Sequence, residues 1–211
     1  MKKLFASIKP IIVRLVIMLF SGSTLAILND VLFVTPEVRT QRAIQNIYGY
    51  VPDYQTILDV DTTDQSINNQ QIEYENYGKI QKIYLITGEQ KEVLFKAVGT
   101  KGYNGGNITL WVKVVKTDNK YVIDKVILES FTKQTLMSKL DGKYYGYFKN
   151  IDVTDAYNNQ QWLFSNSELP SGNGNIPVSG ATLSATAGCN AINCVIKYLG
   201  ENALWKQILK K

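Results

Sequence analysis

Between residues 79 and 129 the chain holds four strand-like runs in quick succession, joined in two pairs by short polar turns. That succession limits the fold more than any other feature. Strands joined by turns this short pair with their neighbours antiparallel. Residues 79–87 set Ile80, Tyr84 and Ile86 on one face and Ile83 and Leu85 on the other. Gly88-Glu89-Gln90 turns the chain, and residues 92–99 return it. Residues 107–116 put Ile108, Leu110, Val112 and Val114 on one side, Asp118-Asn119-Lys120 turns again, and residues 122–129 complete the set. The glycine-rich run Gly102-Tyr103-Asn104-Gly105-Gly106 joins the second strand to the third.

Helical signals flank these strands. Thr35 can cap a helix, Pro36 fits its first position, and Glu37 complements its positive end, so residues 36–48 are expected to be helical. Residues 59–71 are polar and aperiodic, as in a loop, and residues 132–140 are mildly helical. Tyr144-Tyr145-Gly146-Tyr147-Phe148 is rich in aromatics. Residues 158–175 are loop-like, around an apolar knot at Trp162-Leu163-Phe164 that suits a small satellite core. Near the C-terminus a helix is expected from Ser184, as N-cap, to Leu199, with Gly200 as its stop and Ala191, Val195, Tyr198 and Leu199 as its apolar stripe. The expected class is α+β, a small antiparallel sheet with flanking helices.

One further helix is expected ahead of this body. Residues 15–28 carry no charge, and apolar character runs from residue 11 to 34. About 20 such residues match the hydrocarbon thickness of a bilayer. Lys2, Lys3, Lys9 and Arg14 precede the span, which places the N-terminus in the cytoplasm. The chain thus divides into residues 1–34, a cytoplasmic N-terminus with a single-pass transmembrane anchor, and residues 35–211, an extracytoplasmic domain. A cleaved signal peptide is the competing reading, since Thr24-Leu25-Ala26 resembles a cleavage site. The apolar stretch continues past Ala26 directly to the Thr35 cap, which favours a retained anchor.

Charge and composition exclude several functions. Of 23 basic residues four lie in residues 1–28, so 19 remain against 18 acidic ones. A nearly neutral body lacks the basic footprint that nucleic acid requires. There is no histidine, which removes the usual general base, the Ser-His and Cys-His pairings, and His ligation of metals. Cys189 and Cys194 fall five residues apart in the expected helix, further than the roughly 7 Å reach of a disulfide. An added cofactor is the expected source of any chemistry.

The segment that carries chemistry is Ser179-Gly180-Ala181-Thr182-Leu183-Ser184. Small, hydroxyl-bearing residues at a helix N-terminus make an anion site, because free N–H groups and the positive dipole end both favour phosphate. Thr182 offers an oxygen for a phosphoester. An ordinary capped helix start explains the same residues equally well on physical grounds.

The motif also resembles the flavinylation motif of the FMN-binding domain family, found in the G subunit of Rnf electron-transport complexes and the C subunit of sodium-translocating NADH:quinone reductases. The resemblance extends to the anchor leading into a helix, to Gly102-Tyr103-Asn104-Gly105 against the family's Gly-Tyr-x-Gly, and to the strands and helix around them. It implies FMN attached covalently through Thr182, with Ser179, Gly180, Ala181, Leu183 and Ser184 around the ester. It also implies Gln134 and Thr135 as flavin contacts, matching the family's Glu-Thr-Pro-Gly segment without its proline and glycine. Ile176 stands where the family often has aspartate. Tyr103 and Tyr145 are candidates to stack on the ring by position alone.

The implied function is that of a subunit in the plasma (inner) membrane that relays electrons in an ion-translocating complex. It would act as an electron-transfer subunit rather than an enzyme on its own. Its implied partners are the other membrane subunits of the redox complex and, for maturation, a flavin transferase. A stand-alone flavoprotein electron shuttle, a flavin-free structural subunit and a generic extracytoplasmic binding module remain as alternatives.

Overall fold

The computed structural model describes residues 13–25, 35–88, 91–118, 120–140, 142–154 and 181–201. Ser179, Gly180, Ile176 and the apolar knot at residues 162–164 lie outside them. The chain forms two compact units, residues 1–42 and 43–211.

In the first unit residues 13–25 are helical. The hydroxyls of Ser21, Ser23 and Thr24 donate back to the carbonyls of Met18, Leu19 and Phe20. The remainder of the apolar stretch at residues 11–34 lies outside the described residues. Among those described, no helix is long and apolar enough to cross a membrane. Helix α1 spans Pro36–Tyr48, as expected. Thr35 caps it, its Oγ1 accepting from the Val38 amide at 3.3 Å. At its other end, in the second unit, Gly49 takes φ +81 and donates its N–H to the Gln45 carbonyl, a glycine C-cap.

The second unit is built on an antiparallel sheet. Among the described residues its strands are β1 (Tyr54–Asp59), β2 (Ile72–Tyr74), β3 (Gly78–Ile86), β4 (Glu92–Gly99), β5 (Ile108–Thr117), β6 (Lys120–Phe131) and β7 (Ile151–Asp152). Their order is β1-β3-β4-β5-β6-β7, with β2 also pairing β3. The four strands expected from sequence are β3 to β6. Strands β1, β2 and β7 are additions, and the polar loop after β1 folds back on that strand through a bridge from Leu58 to Asn68. Residues 132–140 are not an extended helix but contain a single 3-10 turn, Met137–Lys139. The aromatic run holds a short helix, α2 (Gly142–Gly146).

Two cores lie on the two faces of the sheet. The larger one contains Ile108, Leu110, Val112 and Val114, the predicted face of β5. The smaller contains Trp111, Tyr84, Ile86 and Leu94 with Ile44 and Ile47 of α1. Strand β3 departs from its expected facing. Ile80 and Ile83 belong to the larger core, whereas Tyr84 and Ile86 belong to the smaller. The β3–β4 register shifts between Ile80 and Lys82, and such a bulge reverses the alternation beyond it. The shift turns Lys82 toward Asp59 and Asp61, with Nζ–O distances of 2.9 and 2.8 Å.

Helix α3 (Thr182–Glu201) packs on β3, β4 and β5. Its sides are buried almost all round from Ser184 to Gly200, more widely than the four-residue stripe read from sequence, which suits a helix in the interior of a domain. It starts at Thr182, two residues before the expected N-cap. Ser184 is a helical residue whose hydroxyl serves a tertiary contact instead.

Candidate functional site

The first turn of α3 forms one side of a cavity of about 430 Å³, lined by Tyr103, Thr135, Leu136, Ala181, Thr182, Leu183 and Ser184. Three segments distant in sequence meet here, namely the glycine-rich loop after β4, the chain after β6, and the start of α3. The volume lies within the range of roughly 300–1,000 Å³ typical of small-molecule sites. Of the residues expected from sequence, Thr135, Ala181, Thr182, Leu183, Ser184 and Tyr103 all line this cavity. Tyr145 is not in its lining and packs against the larger core.

Thr182 is exposed while Ala181 before it is 4% exposed. The Thr182 carbonyl accepts a hydrogen bond from Thr186 Oγ1 at 3.0 Å, and the Ala181 carbonyl accepts the Ala185 amide at 2.9 Å. The helix is therefore wound from its first residues, and its leading N–H groups point out of its N-terminal end. No acidic residue lies in this first turn to offset the positive end of the helix from within. Tyr103, Leu136 and Leu183 are 39%, 44% and 53% exposed, and they give the cavity apolar walls open to solvent.

Gln134 is 8% exposed and lies outside the lining. Its Oε1 accepts from Ser184 Oγ at 2.7 Å and from the Tyr103 amide at 3.1 Å. Its Nε2 donates to the Thr132 carbonyl at 3.0 Å. A Cβ on Gly102 or Gly106 would meet that same Nε2 at 2.5 Å. The loop turns through Asn104 and Gly105, both at positive φ, 50 and 67, where glycine and asparagine are the residues of least strain.

The remainder of α3 is fixed from other directions. Asn190 Nδ2 donates to the Thr100 carbonyl at 2.9 Å. Tyr144 of α2 donates its hydroxyl to the Ala185 carbonyl at 2.8 Å. Burial, with Cys189 close by, holds the Tyr144 phenol well above its ordinary pKa, so it stays protonated and able to donate. Sequence reasoning missed Tyr144 and Asn190 as supports of the site, since no local pattern marks a side chain that reaches a distant carbonyl.

Sheet, buried C-terminal helix and cavity together define an α+β domain that presents a helix N-terminus to a ligand-sized hollow. The same fold occurs in a solved structure. The chain is similar to the crystal structure of NqrC from Shewanella oneidensis, with TM-score 0.52 and 14% sequence identity over 80% of this chain and 88% of that one. At that identity the likeness concerns the fold. No family model matches the sequence, and no curated protein does.

Proposed function

We propose that this chain is a flavoprotein electron carrier holding FMN as a phosphoester on Thr182. The observation that carries the reading is the place of Thr182, an exposed alcohol in the first turn of a buried helix, on the wall of a ligand-sized cavity. The residues fit the group. Leading N–H groups of α3 suit the phosphate, the absence of a carboxylate in that turn leaves its charge unopposed, and Tyr103, Leu136 and Leu183 suit a flat aromatic ring.

The bond formed would join Thr182 Oγ to phosphorus. The bond broken is the phosphoanhydride of an activated flavin donor, and the threonine proton leaves with the released nucleotide. A flavin transferase is the partner this step calls for. Once bound, the flavin supplies one-electron chemistry. The chain's own residues position it and shield one side from water, and none needs to move a proton, in keeping with the lack of histidine.

The domain is read as extracytoplasmic, residues 35–211, tethered to the plasma membrane by residues 1–34 and working with membrane subunits of an Rnf-like or sodium-translocating complex. The basic cluster before an apolar stretch supports the tether, and the fold shared with NqrC supports the assembly.

The test is the mass of the protein isolated from its native membrane, intact and as peptides. An FMN adduct on the Thr182 peptide, lost in Thr182→Ala, is the expected result. An unmodified Thr182 beside an active transferase overturns the reading in favour of a flavin-free structural subunit. An adduct on a protein that purifies without membrane partners points instead to a stand-alone shuttle.

A further inference from the structure

We infer that Gln134 is a positioning residue, a bracket that holds the first turn of α3 against the glycine-rich loop and so sets where Thr182 stands over the cavity. The inference rests on the flavin reading of Thr182 and assigns Gln134 a different part from the ring contact that the family resemblance implies.

The hydrogen-bond chemistry leaves Gln134 one orientation. A backbone N–H can only donate, so the atom facing Tyr103 N is the amide oxygen. A backbone carbonyl can only accept, so the atom facing Thr132 O is the amide nitrogen. Ser184 then donates to the same oxygen. One buried side chain thus ties together the loop at Tyr103, the chain just past β6 at Thr132, and α3 at Ser184, two residues beyond Thr182.

Glycine at 102 and 106 follows from the same packing. A Cβ at either position would come within 2.5 Å of Gln134 Nε2, and on Gly106 it would first strike the Thr132 carbonyl oxygen that this nitrogen binds. The two glycines leave space for this amide and for the backbone carbonyls packed beside it, whatever the cavity holds. Glutamine also suits the task better than an ionised carboxylate, which would set a negative oxygen against the Thr132 carbonyl where the amide now donates.

The experiment uses the full chain co-expressed with its transferase and compares wild type with Gln134→Leu, Ser184→Ala and Val112→Ala. Leucine keeps the bulk and removes all three hydrogen bonds, serine-to-alanine removes only the α3 arm, and Val112→Ala loosens a core position away from the site. Two quantities are read: the fraction of chains carrying FMN by intact mass, and amide exchange at Tyr103 and across residues 182–186. Gln134→Leu is expected to speed exchange at Tyr103 and in the α3 turn at least tenfold and to lower FMN occupancy several-fold. Ser184→Ala should affect the α3 turn and spare Tyr103. Val112→Ala, even with an equal fall in melting temperature, should keep its occupancy, which separates positioning from stability. Wild-type exchange in Gln134→Leu, or equal occupancy losses in Gln134→Leu and Val112→Ala, would overturn the proposal. If wild type carries no FMN the flavin reading falls, and the exchange comparison still decides the bracket.

Discussion

Gly99 and Ala187 meet backbone to backbone: a Cβ on Gly99 would overlap the Ala187 carbonyl oxygen and crowd the Ala191 amide nitrogen. The end of β4 and the middle of α3 therefore touch with no side chain between them. Gly99→Ala must push the helix off the sheet, at a cost of about 1–3 kcal/mol typical of overpacking. Urea unfolding measures it, and an unchanged midpoint would mean that the contact is looser than described.

Charge in the first turn of α3 should separate ligand binding from helix stability. Leu183 is 53% exposed, so Leu183→Asp costs little packing and adds a favourable dipole interaction of about 0.3–1 kcal/mol. The same carboxylate repels an ester phosphate on Thr182. Melting temperature is expected to hold or rise while FMN occupancy falls several-fold. Leu183→Asn, which lacks the charge, should fall less; equal losses in both variants would trace the effect to the lost apolar wall.

The cysteines give a test of burial. Burial pushes the Cys189 thiol up to about 11 and that of Cys194 up to about 12. Near neutral pH neither presents a thiolate, the form that reacts. Native protein treated with an alkylating reagent should show no added mass, and denatured protein should add two groups. Modification of the native state would contradict the placement of α3 in the interior.

Lys82 predicts a pH dependence with a definite sign. Burial pulls its pKa down, but hydrogen bonds and charge from Asp61 and Asp59 prevail and raise it above the ordinary lysine value. A folded-state pKa above the unfolded one contributes stability in full below the unfolded value. That contribution is lost as pH rises through the folded value, so this group adds no slope until above about pH 10.4. Lys82→Met leaves the Asp59 carboxylate, 16% exposed, with the Tyr84 hydroxyl but no counter-charge, and is expected to destabilise by about 3 kcal/mol. A melting series from neutral to alkaline pH, on both proteins, checks the sign and the size.

What could be read from sequence divides along physical lines. Strand β5 was legible because Ile108, Leu110, Val112 and Val114 alternate without a break against one core. Helix α1 was legible because Thr35 and Pro36 are local signals acting within one turn. The facing of β3 was not, since the bulge near Ile80 exists only in its register with β4. Strand β1 pairs with β3 across a polar loop rather than with its immediate successor, so no short turn announces it. Ser184 looks like an N-cap because serine often is one, yet its hydroxyl goes to Gln134, fifty positions away. Thr182 and Thr135 came from a motif and its order in the chain; their meeting in one cavity is a property of the tertiary fold.

Between Ala181 and Gly200 only Thr182 and Leu183 are exposed, with Thr186 and Lys197 half-buried. Anything approaching α3 from solvent is thus offered two adjacent side chains and little else of the helix. Access alone therefore sets this threonine apart from Ser184, which carries similar chemistry two positions on and is shut behind the surface.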